Sequence, residues 1–310
     1  MVSALAAPSA AARTADVTAP GPAAPLAGTL LTADAADAPV VLIIPGSGPT
    51  DRNGNSPLGV AASSYRLLAE ALAAKGVSTA RIDKRGMFGS KAAIPDANKV
   101  TIGDYAADVA SWTRAIKEKT GRPCVWLAGH SEGGLVALAA ARNPDICGLV
   151  LIATAGRKLD AVMREQIAAN PANAPIAADA GAAIDALAKG EHVDVSAMHP
   201  ALAQGLFNPA VQDYLIDVFR YDPAALIAKV DRPVLIVSGL KDIQVSRQDA
   251  EMLAAAQPKA RLVLVEGMSH TLKQVDGDGM AANLATYGNP DLPIDPTLVE
   301  AIAAFVRPGA

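Results

Sequence analysis

The sequence predicts an α/β fold: a mostly parallel β-sheet with helices on both faces and one helical insertion. Three observations carry that prediction. Short apolar runs at 40–44, 77–82, 125–128, 148–153, 234–237 and 260–265 have the length and continuity of strands buried on both faces. Segments with helical periodicity alternate with them, as crossovers between parallel strands require. The alternation lapses between 156 and 223, where alanine-rich helical pieces are broken at Asn170-Pro171, Asn173-Ala174-Pro175, His199-Pro200 and Asn208-Pro209.

The chain divides accordingly. Residues 1–25, rich in Ala, Pro, Ser and Thr, read as a disordered tail or as the remnant of a trimmed export signal, because a basic n-region and a long apolar h-region are both missing. Periplasmic or secreted and cytoplasmic locations therefore both stay open. Residues 26–155 and 224–310 form the sheet-bearing core, and 156–223 is expected to be a helical lid. Within the core, 28–32 is an edge strand. The segment 63–75 is a helix with Leu67, Leu68, Ala71 and Leu72 on its apolar face. In the next helix, 101–119, Thr101 is the N-cap and Tyr105, Val109, Trp112 and Ile116 recur at helical spacing. The segment 247–256 and the final stretch 296–306 are helices, the latter after an irregular stretch from 274.

Composition narrows the chemistry. With 51% hydrophobic and 19% charged residues in 310, the chain buries a sizeable core, and a net charge of -4 leaves no basic footprint for nucleic acid. No apolar run reaches the ~20 residues of a membrane span. Four histidines and two cysteines, none at ligand spacing, give no metal site. Cys124 and Cys147 each stand at the start of an apolar run. They are read as buried free thiols, with a disulfide as the lesser alternative if neighbouring strands bring them together.

The chemistry centres on the run 123–139. Val125-Trp126-Leu127-Ala128 is a strand, Leu135-Val136-Ala137-Leu138-Ala139 a helix, and Gly129-His130-Ser131-Glu132-Gly133-Gly134 joins them. Gly-x-Ser-x-Gly between a strand and a helix is the tight turn that exposes a serine oxygen at a sheet's carboxyl edge. Ser131 is thus the candidate nucleophile. A serine hydroxyl needs a base in reach and the base needs an acid. Loops after two later strands carry Asp242 and His270, and parallel strands bring such loops to one edge.

Five segments together resemble an α/β-hydrolase, of the bacterial serine esterase group similar to the S33 serine aminopeptidases. They are Ile44-Pro45-Gly46-Ser47-Gly48-Pro49-Thr50-Asp51-Arg52, Asp83-Lys84-Arg85-Gly86, Gly129-His130-Ser131-Glu132-Gly133-Gly134, Gly239-Leu240-Lys241-Asp242 and Ser269-His270. The resemblance covers nearly everything from Gly28 onward, with one departure: Pro45-Gly46 stands where the family has His-Gly. It implies Ser131 as nucleophile, His270 as base and then acid, Asp242 as its orienting partner, and an oxyanion hole from the N–H groups of Ser47 and Glu132. It implies no cofactor and no metal. The implied activity is hydrolysis of small, short-acyl carboxylic esters through an acyl-enzyme. An aminopeptidase, a thioesterase, or a non-catalytic binding protein of the same fold are the alternatives.

Other polar residues have plainer readings. His130 is read as a packed partner of the turn, and Asp51, Arg52, Asp83 and Arg85 as loop braces. The Glu132 side chain stands evenly between tuning substrate charge and favouring a helix dipole. His192 and His199 are read as exposed, and Asp231 lies at the wrong edge of the sheet to serve as the acid.

Overall fold

The computed structural model describes residues 12–35 and 37–307. Eight strands form one sheet: β1 (Arg13–Ala19), β2 (Leu26–Thr32), β3 (Val40–Ile44), β4 (Ser78–Ile82), β5 (Val125–His130), β6 (Ile146–Ile152), β7 (Val234–Gly239) and β8 (Arg261–Val265). Their spatial order is β1-β2-β4-β3-β5-β6-β7-β8. From β4 to β8 every pairing is parallel, and β2 runs against both of its neighbours. The carboxyl ends of β3 to β8 therefore share one edge.

The expected apolar runs are these strands, and β3 and β4 are buried at every position. α1 (Ser64–Ala74) and α10 (Pro296–Val306) pack on one face, with Leu68, Leu72, Leu298 and Ile302 in the same apolar cluster as Val41 and Ile43. α2 (Ile102–Thr120), α3 (Glu132–Ala140) and α8 (Arg247–Ala256) cover the other, where Trp112, Ile116, Val136 and Leu253 join Leu42 and Leu127. α2 starts in a complete capping box between Thr101 and Asp104, which satisfies two otherwise unpaired N–H groups. α1 is rotated from its expected face: Ser64 and Tyr65 are buried with Leu68 and Leu72, while Leu67 is only partly covered.

Three expectations need correction. The stretch 28–32, expected at the edge of the sheet, lies in β2, which is internal and paired on both sides. Residues 13–19 belong to β1, paired antiparallel along the whole of β2, and are not tail. Val17 and Ala19 turn inward while the alternate residues face out, a period-2 pattern that the small, polar composition obscured. Residues 1–11 of the tail reading lie outside the described residues. Cys124 and Cys147 are joined in a disulfide, with Cα atoms 5.2 Å apart, because adjacent parallel strands hold them side by side at the sheet's amino edge. The irregular stretch after 274 also contains a short helix, α9 (Gly279–Ala285).

The insertion is helical. α4 (Leu159–Ala169), α5 (Ala177–Lys189) and α6 (Gln212–Val218) form a layer whose inner side chains Met163, Ile184, Leu187 and Ile216 continue the core apolar cluster, and α7 (Pro223–Ile227) leads back to β7. Polar ties fix it. The buried Asp249 of α8 accepts from the Gly156 N–H and, at 2.9 and 2.8 Å, from the Arg157 guanidinium; Asp217 accepts from the Ile102 N–H at the start of α2. Among the described residues no helix is long and apolar enough to cross a membrane.

Candidate active site

The turn between β5 and α3 places Ser131 at φ 54°, ψ -121°, a strained conformation for a residue with a side chain. Close packing holds it there. A Cβ on Gly129 would lie 2.2 Å from the Gly133 carbonyl oxygen, and one on Gly133 would lie 2.3 Å from the Ile44 carbonyl oxygen. Only hydrogen fits at either position, so β3, β5 and α3 meet backbone to backbone and lift the serine off the sheet. The loop after β3 presses from the other side, and a Cβ on Gly46 would stand 3.3 Å from the Ser131 Cβ.

His270 and Asp242 meet as expected. His270 Nδ1 lies 2.7 Å from Asp242 Oδ2, and both side chains are buried. The other Asp242 oxygen accepts from the N–H groups of Gln244 and Val245 at 2.7 and 3.0 Å, which fixes the orientation of the carboxylate. Nδ1 of His270 is thus occupied as a donor and Nε2 is left to act as a base. Ser131 and His270 line one cavity, and among the described residues no hydrogen bond of 3.5 Å or less joins their side chains. Contacts of this kind commonly close only around substrate.

Two cavities meet at Ser131 and share Ser47 and Gln244 as well. One, of about 220 Å³, holds His270 and is walled by Ser56, Leu58, Val60 and Tyr287. The other, of about 330 Å³, lies beneath the insertion and is walled by Leu135, Leu159, Val162, Met163, Leu215 and Val218, with Glu132 at its base. Ser47 and Glu132, the expected oxyanion residues, thus flank the serine.

This pattern of a strained serine at a strand–helix turn, with a His–Asp pair on neighbouring strand ends, agrees with the comparisons. The model of the Alpha/beta hydrolase family matches residues 40–282. The chain belongs to that family. A curated relative, Esterase EstD of Thermotoga maritima, is 23% identical over 273 residues, covering 86% of this chain. The match spans 62% of that protein's length. Among solved structures, a hydrolase from Pseudomonas aeruginosa superposes with a TM-score of 0.55 at 20% identity, covering 96% of this chain and 98% of that one. Est1E from Butyrivibrio proteoclasticus does so at 0.55 and 18% identity, covering 93% and 99%. At these identities the solved structures show the shared alpha/beta hydrolase fold.

The plainer readings also find their places. His130 is buried, with Nδ1 2.8 Å from the Tyr65 hydroxyl and Nε2 2.9 Å from the His270 carbonyl. Burial, and then the His270 ring, push its pKa down to about 3. Asp83 accepts from Arg52 and the Gly89 N–H, and Arg85 is clasped by Asp108 and Asp104. Asp51 accepts from Asn53 and Asn55 within its own loop. His192 is exposed and pairs with Asp213, His199 is exposed, and Asp231 is exposed away from the site. The Glu132 side chain is buried, 3.6 Å from Lys84 Nζ, so it does not face solvent as a free charge. Two polar residues of the site had no assigned role in the sequence, Tyr65 and Lys84. Lys84 stood in the Asp83-Lys84-Arg85-Gly86 segment, where three consecutive polar residues after a buried strand were the signal.

Proposed function

We propose that the chain is a serine hydrolase that cleaves carboxylic esters through an acyl-enzyme, with Ser131 as nucleophile, His270 as base and then acid, and Asp242 as its orienting partner. The observation that carries this reading is the strained Ser131 held between the Ser47 loop and the His270–Asp242 pair. In the first half-reaction the Ser131 oxygen bonds to the ester carbonyl carbon while His270 Nε2 takes the hydroxyl proton. The carbonyl oxygen becomes an anion, met by the Ser47 and Glu132 N–H groups. Collapse breaks the bond to the alcohol oxygen, which leaves with the proton from His270. Water then repeats the sequence on the acyl-enzyme and releases the acid. The scheme draws on protein groups alone.

The two cavities suggest how an ester lies across the serine. The leaving alcohol must sit where His270 can protonate it, so it takes the chamber that contains His270. The acyl group takes the apolar chamber beneath 156–223, for which the role of a lid is proposed. An amide with a free amine suits this arrangement poorly, because an ammonium group needs an available carboxylate. Of the carboxylates that could serve, Glu132 is engaged by Lys84 and Glu165 by Arg157, and the exposed Asp179 lines neither chamber.

Labelling with a fluorophosphonate tests the nucleophile: Ser131 is expected to be modified in folded protein, and an unmodified Ser131 would refute the proposal. A panel of nitrophenyl esters of rising chain length, set beside aminoacyl amides and acyl thioesters, tests the substrate class. Turnover confined to amides or thioesters would overturn the ester assignment.

A further inference from the structure

Both backbone polar groups of Gly46, the residue before the Ser47 N–H, are held by side chains that the acyl-transfer scheme leaves unused. The Gly46 N–H donates to the Tyr65 hydroxyl at 3.0 Å. The Gly46 carbonyl accepts from Lys84 Nζ at 2.7 Å. That carbonyl belongs to the same peptide unit as the Ser47 N–H. Its carbon–oxygen and nitrogen–hydrogen bonds point in opposite directions, so a cation on the carbonyl side fixes the direction of the N–H and deepens its polarisation.

Lys84 is almost wholly enclosed, lies 5.3 Å from the centre of the Tyr105 ring, and pairs with the Glu132 carboxylate at 3.6 Å. Glu132 carries the other expected oxyanion N–H. One buried ammonium therefore touches the peptide unit of one donor and the side chain of the residue that carries the other. An enclosed ion pair is weak evidence of stabilisation, since apolar residues of similar volume often serve as well. Its location directly behind the place where negative charge forms gives it another use.

We propose that Lys84 is a positioning residue of the oxyanion hole, orienting and polarising the Gly46-Ser47 peptide through its carbonyl and yoking it to Glu132. Tyr65 completes the clamp. The His270 carbonyl can only accept, so His130 carries its proton on Nε2, and Nδ1 accepts from the Tyr65 hydroxyl. The Tyr65 oxygen is then free to accept from Gly46. A directed chain runs from the oxyanion loop to the loop of the base.

The inference rests on the serine hydrolase reading, which fluorophosphonate labelling of wild-type Ser131 checks separately. The direct test is the neutral pair Lys84→Met with Glu132→Gln, which removes both charges together and leaves no unpaired ion. A trifluoromethyl ketone reports the hole, since Ser131 adds to its carbonyl carbon, His270 takes the proton, and the oxygen is left as an anion. Loss of an entire oxyanion donor costs about 10²–10³ in kcat. Lys84 acts through such a donor, so kcat should fall about 10 to 100-fold and the ketone inhibition constant should rise in parallel. KM should stay within about threefold. Tyr65→Phe should lower kcat in the same sense. Equal losses in KM and kcat, or an unchanged ketone constant in labelled, folded variants, would overturn the inference while leaving the hydrolase reading intact. If the pair variant does not fold, wild-type protein carrying ¹³C at lysine Cε answers the question. Lys84, faced by Glu132 and Tyr105, should titrate at higher pH once the ketone anion forms, and an unmoved titration would count against it.

Discussion

The two chambers that meet at Ser131 are walled in different ways. The chamber beside His270 is bound by hydrogen bonds within and between its wall segments: Asn55 Oδ1 accepts from the Ser63 N–H, the Ser64 hydroxyl donates to the Thr271 carbonyl, and Gln244 donates to the Tyr287 hydroxyl. The chamber beneath 156–223 is walled mainly by aliphatic side chains on α4 and α6, with its polar ties at the margins. Directional bonds hold atoms to tenths of an ångström, as reacting groups require. Apolar packing tolerates changes of volume and so suits a wall that selects by size.

Substitutions can break or sharpen this contrast. The largest effect belongs to the hydrogen-bonded side: Ser131→Ala should lower kcat by about 10⁵ to 10⁶-fold with little change in the melting curve. Asp242→Asn, which puts the wrong tautomer on His270, should cost about 10³ to 10⁴-fold in kcat with KM nearly constant. On the apolar side Met163→Trp should leave acetyl-ester turnover within a fewfold while reducing kcat/KM for longer acyl chains about 10 to 100-fold. A uniform loss across chain lengths would show that the wall does not select.

Changes read in stability rather than in turnover provide the baseline. Cys124→Ala with Cys147→Ala opens a loop of sequence separation 23 and should cost about 3 kcal/mol of unfolding free energy, with kcat unchanged. His130 gives a smaller, pH-dependent effect. Its folded pKa is depressed to about 3, so between that value and about 6.5 the unfolded chain binds a proton that the folded one does not. Its contribution is complete above about pH 6.5 and is lost as pH falls toward 3, with a slope approaching ~1.4 kcal/mol per unit. In chemical denaturation at several pH values, His130→Asn should flatten that slope.

Where one residue type dominates a local pattern, the sequence was legible. Val40–Ile44 is apolar throughout and forms a strand with those limits, and Thr101 with Asp104 announces the start of α2. The Gly-x-Ser-x-Gly turn was legible because its glycines answer to backbone contacts a few residues away or on the adjacent strand. β1 was hidden because Thr14, Asp16 and Thr18 alternate with small residues, a pattern shared with low-complexity tails. The disulfide depends on the register of β5 against β6, which no local pattern encodes. Lys84 and Tyr65 escaped for a related reason: each is defined by a partner on another strand end, and only the closed sheet brings Gly46, His130 and Glu132 around them.

The division of the cavity also bears on the fate of the acyl-enzyme. With the alcohol gone and the acyl chain still lodged beneath α4 and α6, the chamber beside His270 stands vacated while the bond to Ser131 persists. A second alcohol of suitable size can enter there and compete with water for the same carbonyl carbon, giving up its proton to His270. Under the proposed assignment, transfer to such an alcohol should compete with hydrolysis whenever it is abundant, and the ratio of new ester to free acid would measure how well that chamber receives it.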